Sequence, residues 1–231
     1  MSVPAHKLGW QPTPPSPRQP IFNVPPMTKA LVAANVIVHV VQSALPPRLE
    51  EAVLLAFAFF PVRYTVPGLF GWEAIVSPLT YQFMHGNWTH LGVNMLGLLA
   101  FGAGVERWIG PWRMLALALL CGVISAAAHL AVYPYSGDPV VGASGAISGL
   151  FGAILRAGFD RRSPGALRRL LLLVGLWLVI NVVTAQTGMP GAAPGQVAWA
   201  AHAGGFIAGL ILFPLFRLRL RLPGWRAHTK L

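Results

Sequence analysis

Acidic residues are scarce in this chain: six Asp and Glu against 17 Lys and Arg in 231 residues. Charged residues of both signs make up 10% of the sequence, where soluble domains carry about a quarter. That shortage excludes an ordinary water-facing surface. Cysteine is nearly absent, and the single Cys121, set in an apolar run, excludes an intrachain disulfide. No apolar core precedes Met27, and prolines interrupt that region, so it does not read as a signal peptide.

Apolar residues are abundant, at 55% of the chain with a mean hydropathy of +0.61. The chain therefore reads as a polytopic membrane protein. A net charge of +11 would suit nucleic acid, but the placement of the charges argues against that partner. Residues 1–27 hold Pro12, Pro14, Pro15, Pro17, Pro20, Pro25 and Pro26, and read as an extended, disordered tail. Six segments of about the length needed to span a bilayer follow, at 28–45, 88–105, 112–133, 144–159, 167–186 and 197–216. The first and fourth are short and need flanking residues. The fold expected is an all-α membrane protein, a six-transmembrane-helix bundle with an interfacial loop between helices 1 and 2. That loop, 46–87, contains an apolar piece at 52–60 too short to span, with Tyr64, Phe70, Trp72 and Tyr81 nearby. Such a piece lies in the membrane interface or enters as a buried re-entrant segment. The domains are then a tail at 1–27, the membrane domain at 28–217 and a basic tail at 218–231.

Placing the N-terminus inside leaves two of the 17 basic residues outside, Arg48 and Arg63. Lys29, Arg107, Arg113, Arg156, Arg161, Arg162, Arg168, Arg169, Arg217 and the basic tail then face inward, as the positive-inside rule expects. Both termini become cytoplasmic. The absence of a transit-peptide pattern and the compact six-span form point to a bacterial inner membrane. The bilayer is the evident partner, and anionic headgroups add attraction at the basic tail. The sequence sets no oligomeric state.

This topology puts the start of the fourth segment outside. Ser144 stands there in Gly142-Ala143-Ser144-Gly145. A helix N-terminus offers free N–H groups and a positive dipole end, suited to an oxyanion. Gly142 and Gly145 let another backbone approach. Gly145-x-x-x-Gly149 is equally a small-residue face for packing membrane helices, so the stretch alone favours packing. The sixth segment supplies a base at matching depth: His202, followed by Gly205 and Gly209 on a smooth face. A Ser–His pair activates the hydroxyl by removing its proton. The second segment opens with His85, His90 and Asn94, the last two at i and i+4 on one face. Their N–H donors suit an oxyanion hole. A metal held by His85, His90 and His202 is a rival reading, ranked lower because no carboxylate or thiolate shares their depth. Asp160 lies 16 residues after Ser144, about 24 Å along a helix. Glu106 is at an inner end and Asp138 is in a loop, so a dyad without a carboxylate is expected. His39 and His129 have no role beyond packing and hydrogen bonding.

Together these motifs resemble the rhomboid family of intramembrane serine proteases over roughly residues 28–216. The stretch Gly104-Val105-Glu106-Arg107 with Gly110 adds to the likeness. The resemblance implies a six-helix core with a water-filled cavity open to the outside. It implies Ser144 as nucleophile and His202 as general base. The Ser144 backbone, His90 and Asn94 would form the oxyanion hole, supported by Gly142, Gly145, His85, Ser148, Gly205 and Gly209. Substrates would be transmembrane proteins cut in or near a membrane helix, with no metal or cofactor. Residues 46–87 would be the interfacial loop, 188–196 a cap and the fifth helix a lateral gate. Two departures stand out. Some members carry an aromatic residue where this chain has Ser148, so His202 must be held otherwise. Some carry Trp-Arg in the interfacial loop, where this chain has Trp72-Glu73.

Two other classes compete. A non-catalytic relative that binds membrane helices would have lost the serine or the histidine, and both are present. A histidine-lined metal or proton pathway would depend on His90 but not on Ser144.

Overall fold

The computed structural model describes residues 23–159, 164–187 and 198–217. The tail at 1–22, the cap stretch at 188–196 and the basic tail at 218–231 lie outside the described residues, as do Asp160, Arg161 and Arg162. Helices cover all six predicted segments, and the described residues contain no β-strand beyond one isolated bridge.

Helix α1 (Pro26–Ser43) begins with proline in its first turn, where a missing N–H costs nothing. Its N-terminus carries no side-chain cap of its own. Glu106 supplies one from a distant helix. The carboxylate accepts from the Met27 N–H at 2.9 Å, the Thr28 N–H at 2.7 Å and the Thr28 hydroxyl at 2.7 Å. A buried carboxylate is tolerable there because three donors and the helix dipole face it.

Three short helices occupy the long connection: α2 (Pro47–Phe57), α3 (Val62–Thr65) and α4 (Trp72–Thr80), followed by a tight turn at Tyr81–Phe83. The connection is two-sided. Ala58, Phe59, Phe60 and Tyr81 are buried, whereas Phe70, Trp72, Ile75 and Leu79 are exposed. Phe59 pairs with Val140 through two backbone bonds of 3.1 and 2.8 Å, tying the connection to the loop before the serine.

Next, α5 (Trp88–Gly97) passes through a wider turn at Leu98–Gly102 into α6 (Ala103–Ile109). Gly110, at φ +85°, ends that helix, and Pro111 opens α7 (Pro111–Val132). Then come α8 (Ser144–Gly158), α9 (Ala166–Thr187) and α10 (Trp199–Arg217). Among the described residues, four helices are long and apolar enough to cross a membrane: Trp88–Ile109, Pro111–Val132, Ala166–Thr184 and Trp199–Arg217.

The core forms where α7, α8 and α10 meet, with Met114, Leu117, Leu150, Ala153 and Phe213 buried. Close approach of α8 and α10 depends on glycine. A Cβ on Gly209 would lie 2.8 Å from the Gly149 Cα, so no side chain fits. The small-residue packing face read from Gly145 and Gly149 is therefore present, and it is what brings the serine helix against the histidine helix. Helix α9 stands apart. None of its spanning window is buried, and Leu171, Leu172, Leu176, Val179 and Val183 point outward. Outward apolar residues over this length are what a lipid-facing helix carries.

Candidate active site

The loop before α8 is drawn in by one backbone bond, from the Gly142 N–H to the Tyr81 carbonyl at 2.9 Å. Tyr81 is itself pinned, its hydroxyl donating to the Gly122 carbonyl of α7 at 2.7 Å. Gly142 takes φ +117°, a conformation that L side chains rarely adopt. The next turn starts α8, with Ala143 at the N-cap and Ser144 as the first helical residue. The Ser144 N–H thus belongs to the first turn, which has no intrahelical acceptor.

Ser144 Oγ lies 2.8 Å from His202 Nε2. The other ring nitrogen, Nδ1, lies 2.6 Å from Oδ1 of Asn181 on α9. The asparagine's orientation is fixed by its own amide, which donates from Nδ2 to the Trp177 carbonyl at 2.8 Å. An amide oxygen only accepts. His202 therefore donates from Nδ1 to Asn181, leaving Nε2 unprotonated and facing the Ser144 hydroxyl. On the α7 side, the Ser125 hydroxyl donates to the Ala201 carbonyl at 2.7 Å and steadies the turn that carries the histidine.

Asn87 caps α5, its side chain accepting from the His90 N–H at 2.8 Å. That start sets His90 and Asn94 on the face toward the serine loop. A Cβ on Gly142 would sit 2.8 Å from His90 Nε2 and 3.4 Å from Asn94 Nδ2. Both side chains therefore rest against the backbone two residues before Ser144. Asn94 Nδ2 is buried and has no hydrogen-bond partner among the described residues. A buried unpaired donor is costly, so this amide beside Gly142 is free to bind an acceptor that enters the site.

His85 is fully buried behind this pair, its ring 5.2 Å from His90 and 6.3 Å from His39 of α1. His39 also packs edge-on to Trp88 at 4.6 Å, and His129 lies 5.0 Å from Tyr133. Among the described residues, no three of His, Cys, Asp and Glu are grouped to hold a metal ion. Asp138 stays in its exposed loop, where its carboxylate accepts from the Ser136 hydroxyl at 3.4 Å. Glu106 is committed to α1. Ser148 is buried on α8, and the partner of His202 Nδ1 is Asn181 instead.

Asn181 is the residue that the sequence reading missed. The signal was available: an amide in the middle of an apolar 22-residue helix is expensive in lipid and usually has a partner.

A family model described as the Rhomboid domain matches residues 73–219. Rhomboid protease GluP of Bacillus subtilis is 30% identical over 138 residues, 60% of this chain and 25% of GluP. Rhomboid protease AarA of Providencia stuartii is 28% identical over 214 residues, 80% of this chain and 70% of AarA. RHOMBOID-like protein 4 of Arabidopsis thaliana is 32% identical over 151 residues, 65% of this chain and 35% of that protein. The chain thus spans a quarter to a third of GluP and the plant protein, and most of AarA. With the family model covering more than half of its length, this chain is a member of the rhomboid family, multi-pass helical proteins of the membrane.

Proposed function

We propose that the protein is a serine endopeptidase that cuts membrane-anchored proteins in or near a transmembrane helix. The observation that carries this is the 2.8 Å approach of Ser144 Oγ to His202 Nε2 at the first turn of α8. Relatives named as proteases support it.

In this mechanism His202 Nε2 takes the Ser144 proton as the oxygen attacks the scissile carbonyl carbon. The carbonyl oxygen becomes an oxyanion. The Ser144 N–H, Asn94 Nδ2 and the His90 ring N–H stabilise it. The imidazolium, with Asn181 accepting from Nδ1, returns the proton to the leaving amine as the C–N bond breaks. A water then enters, loses a proton to the same Nε2 and releases the acyl group from Ser144. No carboxylate takes part. Asn181 holds the ring in the tautomer that presents a lone pair to the serine.

The membrane arrangement belongs to the same proposal. Residues 28–217 form a six-span domain in which α1 and the short α8 cross alongside the four longer helices. The basic residues at the ends distal to Ser144 support a cytoplasmic position for that face, in the bacterial inner membrane proposed for the protein. The serine then opens toward the outside, and α9 is the helix past which a substrate enters.

The reading is tested by labelling detergent-solubilised protein with a fluorophosphonate or isocoumarin probe. The parent should label, and Ser144→Ala and His202→Ala should not. Equal labelling of parent and Ser144→Ala would overturn it. A folded parent that neither labels nor cuts would favour a helix-binding, non-catalytic member.

A further inference from the structure

At the end of the bundle away from Ser144, three arginines from three helices converge on one cavity of about 840 Å³. They are Arg113 in the first turn of α7, Arg156 near the end of α8 and Arg217 at the end of α10. Trp108, Phe213 and Pro214 complete the wall that concerns us. The volume is that of a ligand pocket rather than of a packing gap.

Helix dipoles explain why Arg156 and Arg217 stand in the last turns of their helices. They do not explain convergence on a shared space. Arg113, at a helix N-terminus, opposes its dipole, and among the described residues its side chain makes one bond, a 3.4 Å contact from Nη1 to the Phe216 carbonyl. No carboxylate lines the cavity or pairs with any of the three among the described residues. Three guanidiniums lining one space raise its positive potential and attract an anion. Arginine is also the side chain best matched to phosphate, through two parallel N–H bonds.

The surroundings identify the source of that phosphate. Trp108 and Trp112 are exposed beside the cavity, at 53% and 73%, and exposed indoles in a membrane protein sit at headgroup depth. Ile211 and Leu215 of α10 are exposed on the same stretch as the lining Phe213 and Pro214. An apolar surface leading from a basic cavity takes acyl chains, which a free phosphate ion lacks. We infer that this cavity binds the phosphate headgroup of an anionic phospholipid at the cytoplasmic face, with Arg113, Arg156 and Arg217 as its ligands. The inference does not depend on catalysis.

The test uses the full-length protein in neutral detergent, with thermal unfolding followed on adding phosphatidylglycerol, phosphatidylcholine or inorganic phosphate at matched ionic strength. Phosphatidylglycerol should raise the Tm saturably, and the other two should not. Each Arg→Gln change in the cavity should weaken the apparent affinity about fivefold, whereas Arg168→Gln on α9 should leave it unchanged. Arg156 is exposed, so Arg156→Gln is the variant least able to disturb folding. Native mass spectrometry of lipid retained by the parent and by Arg156→Gln supplies a second readout that does not rely on unfolding. An equal shift from inorganic phosphate would mean a free-anion site, and unchanged lipid affinity in Arg156→Gln and Arg217→Gln would reject the cavity as the site.

Discussion

Asn181 Oδ1 lies 2.6 Å from His202 Nδ1, and this one contact decides which imidazole nitrogen faces Ser144. The amide comes from α9, the least embedded of the four long apolar helices among the described residues. Beside it, Trp177 of α9 stacks on Phe206 of α10 at 4.4 Å. The histidine's orientation is thus coupled to the seating of α9. Under the proposed entry past α9, a substrate would therefore also act on His202.

Asn181→Ala should therefore lower kcat with little change in KM. A fall of roughly 10- to 100-fold is expected, less than the 10⁴ lost when a triad member imposes the wrong tautomer. Asn181→Asp separates positioning from packing. It keeps the size and the acceptor but adds a negative charge beside the ring, which favours the imidazolium. The acid limb of the kcat/KM profile should move to higher pH in Asn181→Asp, because the base then holds its proton to a higher pH. If Asn181→Ala and Asn181→Asp share the parent's profile and rate, the contact does not orient the base.

Asn94 gives a second discriminating case. Its Nδ2 makes no bond among the described residues in the resting protein. Removing it should cost little stability but much catalysis. Asn94→Ala should reduce kcat by roughly 10²–10³, the usual loss for one oxyanion donor, with the Tm nearly unchanged. A variant that loses Tm and activity in proportion would assign Asn94 to structure instead.

Why some of this was legible in the sequence follows from range. Ser144, His202, His90 and Asn94 lie within the first two turns of their helices, flanked by glycine or by the Asn87 cap, so local pattern and span counting put them at one end of the bundle. The α8–α10 contact was legible too, because only glycine at 149, 205 and 209 permits that approach. Asn181 was not, since its meaning depends on which face α9 turns toward α10, and an apolar helix has no polar stripe to reveal this. Glu106 reads from the sequence only as a carboxylate at the helix end away from Ser144, with no task. Its three donors come from residues 78 and 79 positions away, beyond any periodicity argument. The arginine cavity was read only as positive charge at one face, because convergence of α7, α8 and α10 is a tertiary fact.

Gly142 tests the loop that carries the serine. Its φ of +117° strains any other residue, by roughly 1–3 kcal/mol. A methyl there would also press on His90 Nε2 and Asn94 Nδ2. Gly142→Ala should abolish most activity by shifting the oxyanion donors, even where the protein still folds. Gly92→Ala is the control, since a Cβ at Gly92 meets nothing within 4 Å. It should keep full activity and gain slightly in Tm as helix propensity improves. Comparable losses in the two variants would mean that the glycine requirement is general and not tied to the donors.

Glu106 tests stability apart from chemistry. It holds the start of α1 through three donors and lies at the opposite end of the bundle from Ser144. Glu106→Ala leaves buried donors at a helix N-terminus without an acceptor, so a loss of roughly 2–4 kcal/mol is expected. Glu106→Gln keeps an acceptor but removes the charge that complements the helix dipole, and should lose less. Exposed Glu50, replaced by alanine, should change little. The measurement is thermal unfolding in detergent together with probe labelling at a temperature where each variant is folded. Labelling per folded molecule should match the parent throughout, because no bond from Glu106 reaches the dyad. A Glu106→Ala protein with parental Tm but slowed labelling would reverse this assignment and tie the carboxylate to the site.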